Sequence, residues 1–194
     1  MGRAVTTFRQ PFSHFMGWAW LVISALLLVD LVVRGKDFSA VVSGAVLLIT
    51  VGVAYVVAIR PKVVATEDGV RLVNPLREVF VPWSAFTWAD VSDVLRVHAD
   101  DQVFRSWAVR ENKRAEVREN LRRLNGYGEG PDDPRQMRPA ERVAWTLRSQ
   151  AEQRKARAGK GAGAGAGPTV AWSPDAVASL AVPVALWLAS LIVM

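Results

Sequence analysis

Side chains capable of catalysis or metal binding are few in this sequence and widely separated. The two histidines, His14 and His98, have no partners at the spacing of metal ligands, and the lack of cysteine excludes thiolate zinc sites and thiol catalysis. Asp90 and Asp93 are close together, but paired acids in a strand-turn region are typical of a solvated surface. We therefore predict no catalytic residue, no metal site and no cofactor, and we expect a protein that is not an enzyme.

The remaining chemical signal is positive charge. Residues 60–160 hold 20 of the 24 basic residues and 15 of the 18 acidic ones. Two basic clusters are candidate contacts with an anionic membrane surface or a protein partner: Arg114, Arg118 and Arg122, and Arg154, Lys155, Arg157 and Lys160. Anionic lipids attract each surface-proximal basic residue by about 1 kcal/mol, although a solvated face or a topology determinant also explains these clusters. Nucleic-acid binding is disfavoured, because acids are interspersed and no aromatic-basic platform is evident.

The segments that must position these residues divide into apolar ends and a charged middle. A helix needs about 20 apolar residues to cross about 30 Å of hydrocarbon. Three segments meet this length: residues 15–33, 39–59 and 176–194. Gly44, Gly52 and Ala54 are small enough to let the second helix approach a neighbour closely. The sequence therefore predicts an integral membrane protein with three transmembrane helices.

The apolar segments also fit other interpretations. The first also fits a signal peptide, since Arg3 and Arg9 precede it, but it has no small-residue cleavage site and a second apolar run follows. The third also fits a buried soluble helix, but its apolar residues surround the whole helix. Asp30 fits either an intramembrane proton relay or an interfacial acid paired with nearby Arg34, and its position near the helix end favours the second.

The length of the loop between the first two apolar segments determines their relative orientation. Residues 34–37 are too few for anything but a tight connection, so residues 1–59 form an antiparallel hairpin. The N-terminus and the residues after Ile59 then share one side, which carries more basic residues than the loop. The positive-inside rule places that side in the cytoplasm. We predict a multi-pass protein of the cell membrane with a cytoplasmic N-terminus and soluble domain and an outside C-terminus.

Short β-prone runs alternate with turn signals from Lys62 onward. Val63–Thr66 and Val70–Val73 predict a hairpin in which Gly69 adopts a positive φ. Further strands are predicted at 78–81, 86–91, 94–99 and 103–109, with Asp100-Asp101 turning the last pair. An amphipathic helix is predicted over Asn112–Leu124, where Val117, Leu121 and Leu124 form an apolar stripe. This spacing of strands indicates an antiparallel sandwich or barrel with a helix covering one end of its core.

The order of these elements resembles a family of small bacterial membrane proteins, common in actinobacteria, that carry a pleckstrin-homology-like (PH-like) domain. The resemblance is carried by two membrane helices followed by Arg60-Pro61, Asp68-Gly69-Val70, Asn74-Pro75-Leu76-Arg77 and Val81-Pro82-Trp83. It implies an α+β or all-β PH-like split barrel over residues 60–125, capped by a C-terminal amphipathic helix. It implies no established catalytic activity.

Three tryptophans of this region are candidates for stacking on a ligand. Trp83 follows the third strand of the domain, and Trp88 and Trp107 lie in later strands. Large aromatic side chains in a small domain are more often core residues. We therefore predict that all three are buried.

The tail differs in composition from the domain. Residues 126–168 comprise a loop, a basic helix that begins at Pro139, and a flexible Gly/Ala linker at 159–167, and residues 169–194 contain the third membrane helix. Val143, Ala144 and Leu147 give the basic helix a weak apolar stripe. As an alternative, this helix lies on the membrane surface with Trp145 inserted.

These features lead to one functional hypothesis and one alternative. We expect a non-enzymatic membrane protein whose cytoplasmic PH-like domain binds a protein partner, a second copy of itself or anionic lipid headgroups. The alternative is an accessory or regulatory subunit of a membrane transport complex, in which the helices carry the function.

Overall fold

The computed structural model describes residues 4–111, 117, 121, 137–158 and 167–192. They form two compact units. The helical unit comprises Gln10–Pro61, Pro75–Arg77 and Trp172–Met194. The sheet unit comprises Met1–Arg9, Lys62–Asn74 and Glu78–Ala171.

Four α-helices are described over a continuous range: α1 (Pro11–Arg34), α2 (Phe38–Ala54), α3 (Pro139–Ala158) and α4 (Pro174–Ile192). A π-helical turn, Tyr55–Ile59, extends α2. Helix α1, α2 with its extension, and α4 are each long and apolar enough to cross a membrane, judged by length and composition. The start of α1 at Pro11 follows the preference of proline for the first helical turn.

Helix α2 approaches α4 closely at Gly52. A Cβ atom at Gly52 would lie 2.3 Å from the backbone oxygen of Ser179, so only glycine fits this contact. At Gly44 the nearest neighbour is a side-chain methyl group of Leu31 on α1, 3.0 Å from where a Cβ would lie. The expectation that small residues of α2 permit close helix packing is therefore confirmed, with backbone contact at Gly52.

A buried arginine secures the start of α4 within the helical unit. The Arg60 side chain is 5% exposed, and its Nε lies 3.0 Å from Oδ2 of Asp175. The Tyr55 hydroxyl donates to the same carboxylate oxygen at 3.2 Å, and Nη1 of Arg60 donates to the carbonyl of Pro75 at 3.3 Å. A buried charge is costly unless it is paired and hydrogen-bonded, and here both conditions are met.

The acid in the first apolar segment is paired within its own helix. Nε of Arg34 lies 2.9 Å from Oδ1 of Asp30, at i,i+4 spacing, and both side chains are exposed. The interpretation of Asp30 as a locally paired acid near the helix end is confirmed.

Eight strands form two sheets in the described chain. They are β1 (Ala4–Phe8), β2 (Lys62–Thr66), β3 (Gly69–Val73), β4 (Arg77–Pro82), β5 (Phe86–Val91), β6 (Val94–Ala99), β7 (Gln102–Arg110) and β8 (Thr169–Trp172). The first sheet has the order β1-β2-β3-β4-β8 and the second the order β5-β6-β7. The pairs β1–β2, β2–β3, β3–β4, β5–β6 and β6–β7 are antiparallel.

The two sheets are open, and the expected closure into a split barrel is not present among the described strands. The reason lies at β4, which has β3 and β8 as its neighbours instead of continuing the ladder to β5. Strands β1 and β8 were not predicted from the sequence. Both are short strands, each placed directly before an apolar helix.

Helix α3 completes the core of the sheet unit. Its buried residues, Ala140, Val143, Ala144, Leu147 and Ala151, recur on one face of the helix. They join the core side chains of the strands, which include Val63, Leu72, Val81, Phe86, Leu95 and Val97. Before α3, Nη1 of Arg138 lies 3.3 Å from Oε1 of Glu111, the residue that follows β7.

The apolar stripe of α3 is therefore occupied by the core. The membrane-surface alternative has Trp145 inserted; Trp145 is 39% exposed and is not among the buried residues of α3, so that alternative stays a prediction. The predicted helix at Asn112–Leu124 lies outside the described residues except for Val117 and Leu121, which are helical and exposed. Arg114, Arg118, Arg122 and Lys160 also lie outside the described residues.

The turn between β2 and β3 needs glycine for a reason different from the predicted one. Gly69 does not adopt a positive φ; instead, a Cβ atom there would lie 2.2 Å from the backbone oxygen of Val81 on β4. The left-handed residue is Asp100, with φ of 49°, in the predicted turn between β6 and β7. Trp83 is 6% exposed and its Nε1 donates to the carbonyl of Thr66 at 3.1 Å, so its assignment to the core is confirmed.

The close contact at Gly52 predicts a difference between two identical substitutions. Gly52→Ala should lower the free energy of unfolding by about 1–3 kcal/mol, because its methyl group meets backbone that must move. Gly44→Ala should change it by less than about 0.5 kcal/mol, because a side-chain end can give way. Thermal unfolding of both variants in detergent measures this, and equal midpoints would show that α2 and α4 do not pack at Gly52.

Candidate interaction surface

A group of charged and aromatic side chains of the sheet unit lies on the outer face of the three-stranded sheet. Register pairs Trp88 with His98 and Asp90 with Arg96 across β5 and β6. Arg96 is paired in turn with Arg105 on β7. Residues directly opposite in a ladder point to the same side, so these five side chains share one face. We call them, together with Trp107, Arg110 and Arg148 beside them, the arginine–tryptophan face.

A three-residue cluster occupies the centre of this face. Nε of Arg96 donates to Oδ2 of Asp90 at 3.1 Å, and Nη2 makes a second contact with the same oxygen. Nε2 of His98 lies 2.7 Å from Oδ1 of Asp90, and since a carboxylate only accepts, the histidine nitrogen donates. The carboxylate therefore fixes both neighbouring side chains.

The pKa of Asp90 reflects two opposing effects. Burial raises it, but the hydrogen bonds from Arg96 and His98, together with their charges, outweigh burial and leave the pKa below its ordinary value of 3.8. Because the folded pKa is depressed, the cluster contributes stability above the unfolded pKa. That stability is lost as the pH falls through the folded pKa.

Each of the two tryptophans of the face has an arginine guanidinium group stacked over its ring. The guanidinium carbon of Arg148, on α3, lies 4.4 Å from the ring centroid of Trp88. That of Arg110 lies 4.0 Å from the ring centroid of Trp107. Trp88 is 48% exposed and Trp107 is 44% exposed. Both distances are within the range of cation–π attraction, so each ring is held in place by its arginine.

The prediction that Trp88 and Trp107 are core residues is wrong. Phe86 is buried, and simple alternation would bury Trp88 two residues later. A register shift between Phe86 and Trp88 turns the later residue outward and places Ala89 in the core instead. Trp107 follows exposed Arg105 by two residues, so alternation along β7 already points it outward.

The side chain of Asn74 bonds to the backbone of β7 beside Trp107. Its Oδ1 accepts from the Trp107 amide at 2.7 Å, and its Nδ2 donates to the Arg105 carbonyl at 2.9 Å. An unpaired strand edge invites pairing with another chain. Asn74 satisfies this part of β7, so the side chains of the face, and not these backbone groups, are available for contact.

Of the basic residues proposed from sequence, Arg154, Lys155 and Arg157 are among those that the structure describes. On α3, Arg154 is half-buried, Arg157 is exposed, and Nζ of Lys155 donates to the carbonyl of Phe86 at 2.6 Å. These three do not belong to the arginine–tryptophan face. The members of the face were missed as a site, although the alternation Arg96-Val97-His98 along β6 was a sequence signal for an exposed basic strand face.

Metal chemistry is a separate matter. No group of three or more His, Cys, Asp or Glu side chains that could hold a metal ion is found within the described ranges. His98 and Asp90 are adjacent but form a pair only, and Asp90 is engaged by Arg96. The arrangement is suited to charge recognition and aromatic contact.

Comparison with known proteins gives a family match for part of the chain. Residues 60–126 match a family model described as Bacterial PH domain, which is 67 of the 194 residues. No curated protein and no solved structure gives a match. The match supports a PH-like domain in a bacterial protein and contains β2 to β7. Strands β1 and β8 and helix α3 lie outside it.

The Asp90 cluster generates a stability prediction. Asp90→Asn should lower the free energy of unfolding by about 1 kcal/mol at about pH 7. It removes the carboxylate charge that strengthens the hydrogen bonds from Arg96 and His98 at a partly exposed site. The difference from the native chain should shrink as the pH falls below 3.8 and vanish once the pH has fallen through the depressed pKa of Asp90. Thermal unfolding followed by near-ultraviolet circular dichroism measures both effects.

Asp101→Asn, in the exposed turn between β6 and β7, is the matched control and should leave the midpoint unchanged at both pH values. If Asp90→Asn behaved like the control at about pH 7, the hydrogen-bonded cluster would contribute nothing to stability.

Proposed function

We propose that this chain is a non-enzymatic bacterial membrane protein whose PH-like domain is an interaction module on the cytoplasmic side. One observation carries the proposal: a match to the Bacterial PH domain model lies between helices that are apolar enough to span a membrane. PH domains are in general non-catalytic modules that bind lipids or proteins. The anchoring helices would hold such a module permanently at the membrane surface.

The strand connections support a common side for all helix entry points. Strand β1 ends at Phe8, just before α1, and β2 begins at Lys62, just after the π-helical turn. These strands pair, with Phe8 opposite Val63, so both ends of the hairpin lead into one sheet edge. Strand β8 belongs to the same sheet and leads directly into α4.

Charge supports the cytoplasmic assignment of that side. Arg9, Arg60 and Lys62 lie at the strand end of the hairpin, and Arg34 and Lys36 lie at its loop, where Asp37 offsets one of them. Arg154, Lys155, Arg157 and Lys160 precede α4. Basic residues accumulate on the cytoplasmic side of membrane helices, which favours a cytoplasmic domain.

The contact surface of the module is proposed to be the arginine–tryptophan face. Exposed tryptophan and arginine side chains carry a large share of the binding energy in protein interfaces. The residues proposed from sequence, Arg114, Arg118, Arg122, Arg154, Lys155, Arg157 and Lys160, stay proposed as secondary contacts with the membrane surface or a partner. Attraction to an anionic leaflet would then orient the module without setting its specificity.

A photo-reactive amino acid placed in the domain tests the module in native membranes. Val103, exposed beside His98, and Glu67, exposed in the β2–β3 turn, are suitable positions. We expect a discrete adduct from Val103, identified by mass spectrometry, and none from Glu67.

A scan of all exposed positions of β2 to β7 that yields no adduct would contradict the interaction function. An adduct from Glu67 alone would support the module but assign its contact to a surface other than the arginine–tryptophan face.

A further inference from the structure

The cations of the arginine–tryptophan face are arginines, and three of them are held by planar partners. Arg96 is held by the Asp90 carboxylate, Arg110 by the Trp107 ring and Arg148 by the Trp88 ring. Strands β5 to β7 contain no lysine. A guanidinium group that is already fixed loses little conformational entropy on binding, and its planar fork matches a carboxylate in a bidentate contact.

Charge on this face is unbalanced toward the positive. The face has four arginines, Arg96, Arg105, Arg110 and Arg148, against the single carboxylate of Asp90. That carboxylate already accepts hydrogen bonds from Arg96 and His98, so its negative charge is paired within the face. A partner of complementary potential must therefore be acidic.

The tryptophans also require apolar side chains on the partner. Trp88 and Trp107 each expose almost half of their surface while one side of the ring carries a guanidinium group. A half-exposed ring beside fixed cations offers contact area for an apolar side chain. A partner segment that satisfies the whole face carries apolar side chains between its carboxylates.

The same features favour a protein over a lipid surface. Attraction to anionic lipid needs only positive charge near the membrane and no fixed fork geometry. Tryptophan anchors of a bilayer interface present their rings to the headgroup region, whereas here the rings are covered on one side by arginine. Side chains of an extended chain recur on one side about every 6.6 Å, a spacing suited to the outer face of a sheet.

We propose that the arginine–tryptophan face binds an extended acidic segment of a partner protein, in which carboxylates alternate with apolar side chains. This inference rests on the proposed function and names the partner chemistry of the module. The carboxylates are received by Arg96 and Arg105 in the centre of the face, and the apolar side chains contact Trp88 and Trp107.

The probe for this inference is a fluorescent peptide of alternating glutamate and leucine, with the glutamine–leucine peptide as its neutral counterpart. The full chain is used in nanodiscs of neutral lipid, because β1 and α3 lie outside residues 60–126 and the domain needs both. We expect the acidic peptide to bind at least about tenfold more tightly than the neutral one, since charge-assisted hydrogen bonds are the stronger class.

Single substitutions locate the binding. Arg96→Gln and Arg105→Gln should each weaken acidic-peptide binding by about tenfold, and Trp107→Leu should weaken it as well. The matched control is Arg71→Gln on the first sheet, where Nη1 of Arg71 lies 3.4 Å from Oε2 of Glu78, and it should bind like the native chain. Arg105 is exposed, so its variant should keep the native near-ultraviolet spectrum.

Four results would overturn the inference. The first is equal affinity for the acidic and neutral peptides, and the second is an equal loss in Arg71→Gln. The third is binding to phosphatidylglycerol vesicles that Arg96→Gln abolishes, without peptide binding, which would assign the face to a lipid surface. If neither probe binds while the cross-link from Val103 persists, the partner chemistry is wrong and the interaction function stands.

Discussion

The pairing of β1 with β2 is the interaction on which the rest of the architecture depends. These strands flank the helical hairpin in sequence, and their register joins Phe8 to Val63 and Ala4 to Thr66. The hairpin therefore begins and ends at one sheet edge. In chain order, the first strand of the sheet unit precedes the first helix, and its core helix, α3, precedes the last.

The helical unit has its own constraint in the ion pair between Arg60 and Asp175. Removing a guanidinium group from water is costly, and the Asp175 carboxylate and the Pro75 carbonyl both help to offset the burial of Arg60. The carboxylate also accepts from Tyr55, so the end of α2 and the start of α4 are connected through one side chain. With backbone contact at Gly52, this pair defines how the third apolar helix packs on the hairpin.

Sequence reasoning found the features that depend on local composition. Apolar length located the three membrane-type helices, turn residues located the strand order from β2 to β7, and the apolar stripe at Val143 and Leu147 identified α3. Features set by tertiary contact were missed. Pairing of β1 has no local signal, and Gly69 is required by the approach of Val81, which composition cannot reveal.

Trp88 was assigned to the core because a register shift in β5 decides which side it faces. Counting alternate residues from Phe86 places Trp88 in the core, and the shift in β5 reverses that assignment. The cluster around Asp90 likewise requires the pairing of β5 with β6, since its members come from two strands. The basic clusters chosen from sequence were the densest in charge, whereas the described face combines sparser arginines with two exposed tryptophans.

Substituted-cysteine accessibility in intact bacterial cells tests the central claim most directly, and the natural lack of cysteine makes every label attributable. Lys36→Cys reports the hairpin loop, Asp101→Cys the second sheet, and Gly167→Cys the approach to β8. A membrane-anchored module with all strands on the cytoplasmic side predicts that a membrane-impermeant maleimide labels Lys36→Cys in intact cells and labels the other two only after permeabilisation. Labelling of Asp101→Cys or Gly167→Cys in intact cells would contradict it.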